Sequence, residues 1–166
     1  MNTRVLEELA RSAAKLTKGS HTRLLINERL DVALTTGADG VQLTSQSMPT
    51  NVVRSIVGSE LLLGVSTHSL PEALQAQDEG ADFVLFGPVF ETDSKREFGS
   101  PQGVECLREV TTELIGFPVI AIGGVREENA KECLQAGAAG VAAISMFEDA
   151  SHLGRIVKSL QPVSDT

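Results

Sequence analysis

"GADGV" at 37–41, "GADFV" at 80–84 and "GAAGV" at 137–141 are three copies of one pattern. Each closes a segment with helical apolar spacing and opens a short hydrophobic run. Glycine accepts the left-handed conformation at which helices stop, and alanine lets helix and strand approach closely. Strands are predicted at "LLIN" (24–27), "GVQLT" (40–44), "LLLGVST" (61–67), "DFVLFGPV" (82–89), "PVIAIGG" (118–124) and "GVAAIS" (140–145). Nearly all lack strict alternation, as expected for strands buried on both faces of a parallel sheet. Between them, Leu70, Ala73, Leu74 and Gln77, and again Ala130, Cys133, Leu134 and Gly137, follow the three-and-four spacing of crossover helices. Val5, Leu6, Leu9, Ala13 and Leu16 mark one face of an opening helix with no strand before it. The pentapeptide recurs at every second strand, a repeat that favours an α/β (βα) barrel over a doubly wound sheet. A closed barrel has eight strands and the sequence offers about six. The expectation is therefore an N-terminally truncated TIM (βα) barrel, one domain over 1–166, whose end strands "LLIN" and "GVAAIS" have open edges. Open edges favour pairing with another chain, so a homo-oligomer is expected.

At 166 residues, with 42% hydrophobic and 22% charged residues, the chain has enough apolar mass for one core. Its net charge of -8 has the wrong sign for nucleic-acid phosphates, so no nucleic-acid partner is expected. No apolar run reaches the roughly 20 residues that span a bilayer. The opening "MNTRVLEELARSAAKL" lacks the apolar core of a signal peptide. No membrane partner is expected, and the expected address is the cytoplasm. Cys106 and Cys133 stand apart from any CxxC or histidine cluster and read as buried spectator thiols.

The stretch "VIAIGGV" (119–125) ends a hydrophobic run in two glycines. In (βα) barrels phosphate commonly binds the loops after the last two strands, where bare backbone N–H groups and a nearby helix start supply donors. Gly123 and Gly124 end the penultimate strand and "ISMFED", with Ser145, follows the last, so the two together predict a phosphate cup. A tight turn that needs glycine for its dihedral angles is the plain alternative. In "FGPVFETDSK" (86–95), Thr92, Ser94 and Lys95 put two hydroxyls and a cation at another strand end, suited to a leaving pyrophosphate. In "GVSTHS" (64–69), Ser66 is suited to an anionic oxygen. His68 is either an acid or base or a residue that caps the next helix. His21 and His152 have no assigned role.

The segments "LLINERLDVALTTGADGVQL", "GVSTHSLPEALQAQDEGADFVLFGPVFETDSK" and "PVIAIGGVREENAKECLQAGAAGVAAIS" resemble the thiamine phosphate synthases and their relative, the thiazole tautomerase TenI, over nearly the whole chain. The resemblance implies a TIM barrel that starts here at the helix after the family's second strand. It implies a transferase that joins hydroxymethylpyrimidine pyrophosphate to thiazole phosphate and releases pyrophosphate with the help of Mg²⁺. It places Ser66 and Lys95 on the pyrophosphate as the catalytic candidates. Thr92, Ser94, Gly124 and Ser145 would hold the thiazole phosphate, with Asn27, Gly123 and Ile144 as further substrate-binding positions. Glu28 would be the metal ligand, in an Asn27-Glu28 pair where the synthases carry Asn-Asp. Ser47 stands where they carry a second aspartate, so magnesium is expected to bind weakly and mainly through pyrophosphate. Gln42 and Thr44 replace a histidine and a glycine, and Pro88 stands where the tautomerase branch has its acid/base histidine. The alternatives are a tautomerase acting on phosphorylated thiazole and a non-catalytic thiazole-phosphate binding protein.

Overall fold

The structure is a computed structural model that describes residues 2–92 and 100–160. The order of elements is α1 (Thr3–Thr17), β1 (Leu25–Asn27), α2 (Leu30–Thr36), β2 (Gly40–Leu43), α3 (Thr50–Val57), β3 (Leu62–Thr67), α4 (Leu70–Asp78), β4 (Phe83–Phe86), α5 (Gly103–Glu113), β5 (Val119–Ile122), α6 (Ala130–Gln135), β6 (Gly140–Ala142), a 3-10 turn (Ser145–Phe147) and α7 (Leu153–Leu160). The strands are hydrogen-bonded in chain order, with β1 and β6 at the two ends, as the sequence predicts. β1 pairs with β2, β2 with β3, and β5 with β6, each in parallel.

The chain divides into two compact units. The first runs to Thr67 and adds Leu74–Val84. Its core is formed by Ile26, Val41, Leu43, Val53, Leu63 and Val84, all buried. The pentapeptides work here as read: Gly37 and Gly80 take φ of 76° and 91° at the helix ends. Each aspartate then ties one strand entrance to the strand before it. The Asp39 N–H donates to the Leu24 carbonyl at 2.8 Å, and its carboxylate accepts the Leu24 N–H at 2.8 Å. Asp82 repeats this on Leu63, donating at 2.8 Å and accepting at 2.7 Å. Arg54 of α3 completes the second copy. It donates to Asp82 at 2.6 Å and to the carbonyls of Gly80 at 2.7 Å and Leu61 at 3.2 Å, and also to the Gly58 carbonyl. Helix α1 is capped by Asn2, whose side chain accepts the Arg4 N–H. Its predicted apolar face looks largely outward: Val5, Leu9 and Leu16 are exposed, and only Ala10 is buried.

The second unit comprises His68–Ala73 and the chain from Leu85 onward. Phe86, Val89, Leu107, Val110, Val119, Ala121, Cys133 and Ile156 are among its buried residues. The third pentapeptide also turns at a left-handed glycine, Gly137, with φ of 96°. Ala139 replaces aspartate, so only the backbone half of the tie remains, from its N–H to the Val119 carbonyl at 2.8 Å. Four strands stop earlier than predicted, β2 by one residue, at Leu43. β4 ends before Gly87-Pro88, where proline has no N–H to continue a ladder. β5 ends before two positive-φ glycines, and β6 ends at Ala142 before the turn that begins at Ser145.

The reading of both cysteines as buried is corrected at Cys106, which is exposed. Leu107 and Val110 face the core, and the helical turn of about 100° per residue carries their neighbour Cys106 to the solvent side. Cys133 is buried, and burial followed by the charge of Glu132 pushes its thiol up to about 11. Among the described residues no helix is long and apolar enough to cross a membrane.

Candidate functional site

In the first unit the strand ends gather oxygen donors. Asn27 closes β1, and Glu28 follows with φ of 60°, the one positive-φ residue other than glycine among the described residues. A non-glycine side chain in that region is strained by about 1–3 kcal/mol, and such strain concentrates at functional sites. The Glu28 N–H donates to the Gln42 carbonyl at 2.9 Å, which fixes the unusual backbone at the mouth of β2. Its carboxylate accepts the Thr44 hydroxyl at 2.6 Å, and the Thr44 N–H donates to Ser47 Oγ at 2.9 Å. Gln42 Nε2 donates to Ser66 Oγ at 3.1 Å. Gly64 makes room for that arm, because a Cβ there would lie 2.2 Å from Gln42 Oε1 and 2.3 Å from the Phe83 ring. The structure thus links Glu28 to Ser47 through Thr44, and Ser66 to Gln42.

These donors suit a hard cation. Glu28 brings one carboxylate, Thr44 and Ser47 bring hydroxyls, and among the described residues no group of three or more His, Cys, Asp or Glu side chains forms a metal cluster. One carboxylate is compatible with Mg²⁺, which keeps several waters and binds through few carboxylates plus substrate phosphates.

The second unit contains the two glycines from which a phosphate cup is expected. The Val89 N–H donates to the Ile122 carbonyl and the Phe90 N–H to the Gly123 carbonyl, both at 2.9 Å. In a regular strand successive carbonyls point to opposite sides. Here two consecutive carbonyls turn toward one segment, and the chain manages this with φ of 94° at Gly123 and 65° at Gly124. Because a trans peptide holds its C=O and N–H antiparallel, the N–H groups of Gly123 and Gly124 both face the other way, toward the β6 side of β5. On that side β6 runs out into Ile144, 80% exposed, and Ser145, the exposed first residue of the 3-10 turn.

The glycines also meet a packing demand. A Cβ on Gly123 would sit 2.5 Å from Pro88 Cα, and one on Gly124 would sit 2.5 Å from the Glu91 carbonyl oxygen and 2.7 Å from that of Phe90. A side chain at Gly124 would therefore collide with the 90–91 backbone. The turn that needs glycine for its dihedral angles also turns both N–H groups to one side.

Thr92 is half-buried on the loop after β4. Ser94 and Lys95 lie outside the described residues. His68 Nδ1 lies 2.5 Å from the Gly87 carbonyl, an acceptor only, so Nδ1 carries the proton. The His68 N–H donates to Glu72 Oε2 at 2.7 Å, and Ser69 Oγ, not the His68 side chain, accepts the Glu72 N–H at the start of α4 at 3.4 Å. His152 pairs with Asp149 at 2.8 Å, away from either cluster in sequence and bonding. Sequence reasoning missed Gln42 and Thr44 as partners of Ser66 and Glu28. The available signal was that the departures from the family pattern at 28, 42, 44 and 47 fall together at neighbouring strand ends.

Comparison with known proteins follows the same lines. The family model described as thiamine monophosphate synthase matches residues 1–147. The thiamine-phosphate synthase of Chlorobium phaeovibrioides is 45% identical over 130 residues, covering 78% of this chain and 62% of that protein. That of Chloroflexus aurantiacus is 37% identical over 166 residues, covering 98% of this chain and 76% of that protein. The solved thiamine phosphate pyrophosphorylase from Pyrococcus furiosus superposes with a TM-score of 0.83 at 37% identity, covering 98% of this chain and 80% of that one. The chain spans 66% of the length of a relative from Geobacter sulfurreducens and 62% of the Chlorobium protein. Similarity over both clusters leads to one conclusion: the chain belongs to the thiamine monophosphate synthase family.

Proposed function

We propose that the chain is a transferase of thiamine biosynthesis that joins hydroxymethylpyrimidine pyrophosphate to thiazole phosphate and releases pyrophosphate. The observation that carries this reading is the paired N–H groups of Gly123 and Gly124, turned toward the β6 side in a member of this family. We further read the six strands as consecutive strands of a (βα) barrel, residues 1–166 as one domain, the protein as cytoplasmic, and the end strands β1 and β6 as surfaces for self-association.

In the reaction, the bond between the pyrimidine methylene carbon and the pyrophosphate oxygen breaks, and its electron pair leaves with pyrophosphate. The thiazole nitrogen gives its lone pair to the same carbon, so no side-chain nucleophile is needed and the chain's task is to position and stabilise charge. Ser66 Oγ accepts from Gln42, which leaves its own hydroxyl proton for a pyrophosphate oxygen. Lys95 adds a cation to the same group. Gly123, Gly124 and Ser145 donate to the thiazole phosphate, and Thr92, Ser94 and Ile144 are its further expected contacts. Magnesium, when bound, neutralises charge on the departing pyrophosphate; Glu28 would hold it, with Asn27, Thr44 and Ser47 as neighbouring oxygen donors.

The test is to mix the protein with both substrates and Mg²⁺ and assay for thiamine phosphate. Product formation supports the transferase. Binding of thiazole phosphate without product would replace it with a binding protein, and proton exchange on a phosphorylated thiazole alone would replace it with a tautomerase.

A further inference from the structure

We propose that Asn129 is the positioning residue of the phosphate-binding turn, holding the Gly124 carbonyl away from the anion; the inference rests on the function proposed above. Asn129 Nδ2 donates to the Gly124 carbonyl at 3.1 Å, and its Oδ1 accepts the Arg126 N–H at 2.8 Å. One partner only accepts and the other only donates, so the orientation of the amide is fixed. The side chain is half-buried, and the next residue, Ala130, is fully buried at the start of α6, which anchors Asn129 to the core.

Three successive carbonyls of the turn are thereby held, Ile122 by Val89, Gly123 by Phe90 and Gly124 by Asn129. The first two bonds aim the donors. The third acts on the Gly124–Val125 peptide, which follows a glycine and so has little intrinsic barrier to rotation. Released, that peptide is free to rotate and bring its oxygen toward the N–H groups of Gly123 and Gly124, where it would repel a phosphate oxygen. Asn129 touches no reacting atom in this scheme; it acts by keeping one acceptor out of a donor site.

Asn129→Ser keeps an oxygen for the Arg126 N–H, adds no charge and cannot reach the Gly124 carbonyl. Calorimetric titration with thiazole phosphate is expected to give a Kd about tenfold weaker than wild type, the loss of roughly one hydrogen bond. KM for thiazole phosphate should rise by a similar factor while KM for the pyrimidine pyrophosphate stays unchanged. A purely structural role would lower thermal stability and leave that KM contrast absent. Equal affinity in wild type and folded Asn129→Ser overturns the inference and leaves the proposed function standing. Failure of wild type to bind thiazole phosphate overturns the proposed function and this inference with it. Wild type alone supplies a further check should the variant not fold. With thiazole phosphate bound, one Asn129 side-chain amide proton should exchange slowly with solvent, and fast exchange of both would refute the bond to Gly124.

Discussion

Glu28 offers a comparison in which the backbone strain and the carboxylate can be separated. Its φ of 60° places an L side chain in the left-handed region, and its carboxylate accepts the Thr44 hydroxyl at 2.6 Å. Glu28→Ala removes the exposed hydrogen bond, about 0.5–1 kcal/mol, and keeps a Cβ in the strained conformation. Glu28→Gly removes the same bond, recovers roughly 1–2 kcal/mol of strain, and gives back about 0.5–1 kcal/mol through greater freedom of the unfolded chain. The glycine variant should therefore be the more stable of the two by about 1 kcal/mol, or roughly 2–4 °C in Tm. Away from such a position, the usual order is the reverse. Urea unfolding of both variants measures the difference, and magnesium-dependent turnover should fall in both because both lack the carboxylate. An alanine variant as stable as the glycine variant would refute the strained backbone, and with it the physical case for a functional site at Glu28.

Arg54→Ala should lose about 3 kcal/mol by urea unfolding, since it strips hydrogen bonds from three carbonyls and from Asp82 around a side chain only 22% exposed; a loss below about 0.5 kcal/mol would show that α3 does not lock the second pentapeptide. Thr67→Val should stabilise by about 1 kcal/mol in the same assay, because the Thr67 hydroxyl is buried without a hydrogen-bond partner among the described residues and valine has nearly its shape. Destabilisation would reveal a partner for that hydroxyl. Asp39 is held below the usual carboxylate range by the Leu24 N–H first and Arg23 second. A depressed folded value means that its contribution is present above the unfolded value near 4 and is lost as pH falls through the folded value, so Asp39→Asn should flatten the stability profile below about pH 4. An unchanged profile would contradict that linkage.

Much of the fold was legible because it depends on local patterns. The glycines at 37, 80 and 137 take the left-handed angles that their place at helix ends demands, and the apolar runs become strands in chain order. What was not legible depends on contacts distant in sequence. Arg54 reads as an ordinary helix arginine until Asp82 and the Gly80 carbonyl arrive beside it. The outward face of α1 was misleading for the related reason that amphipathic spacing reveals a stripe but not what covers it. At the site, the glycine pair announced itself as bare backbone, yet the sequence could not show that Val89 and Phe90 claim two consecutive carbonyls and so aim both N–H groups one way. Glu28 was readable as a candidate ligand by resemblance; its backbone angle and its bond to Thr44 were not.

Amide NMR of ¹⁵N-labelled protein titrated with thiazole phosphate reads the paired donors at the end of β5 one N–H at a time. The Gly123 and Gly124 N–H signals should move downfield together and saturate with the ligand, with Ser145 shifting at the same concentrations, while Gly37 and Gly80 at the helix ends of the first unit stay in place. Saturable binding that leaves the Gly123 and Gly124 signals unmoved would contradict the account, because the phosphate would then be held elsewhere and the two glycines would serve only the turn.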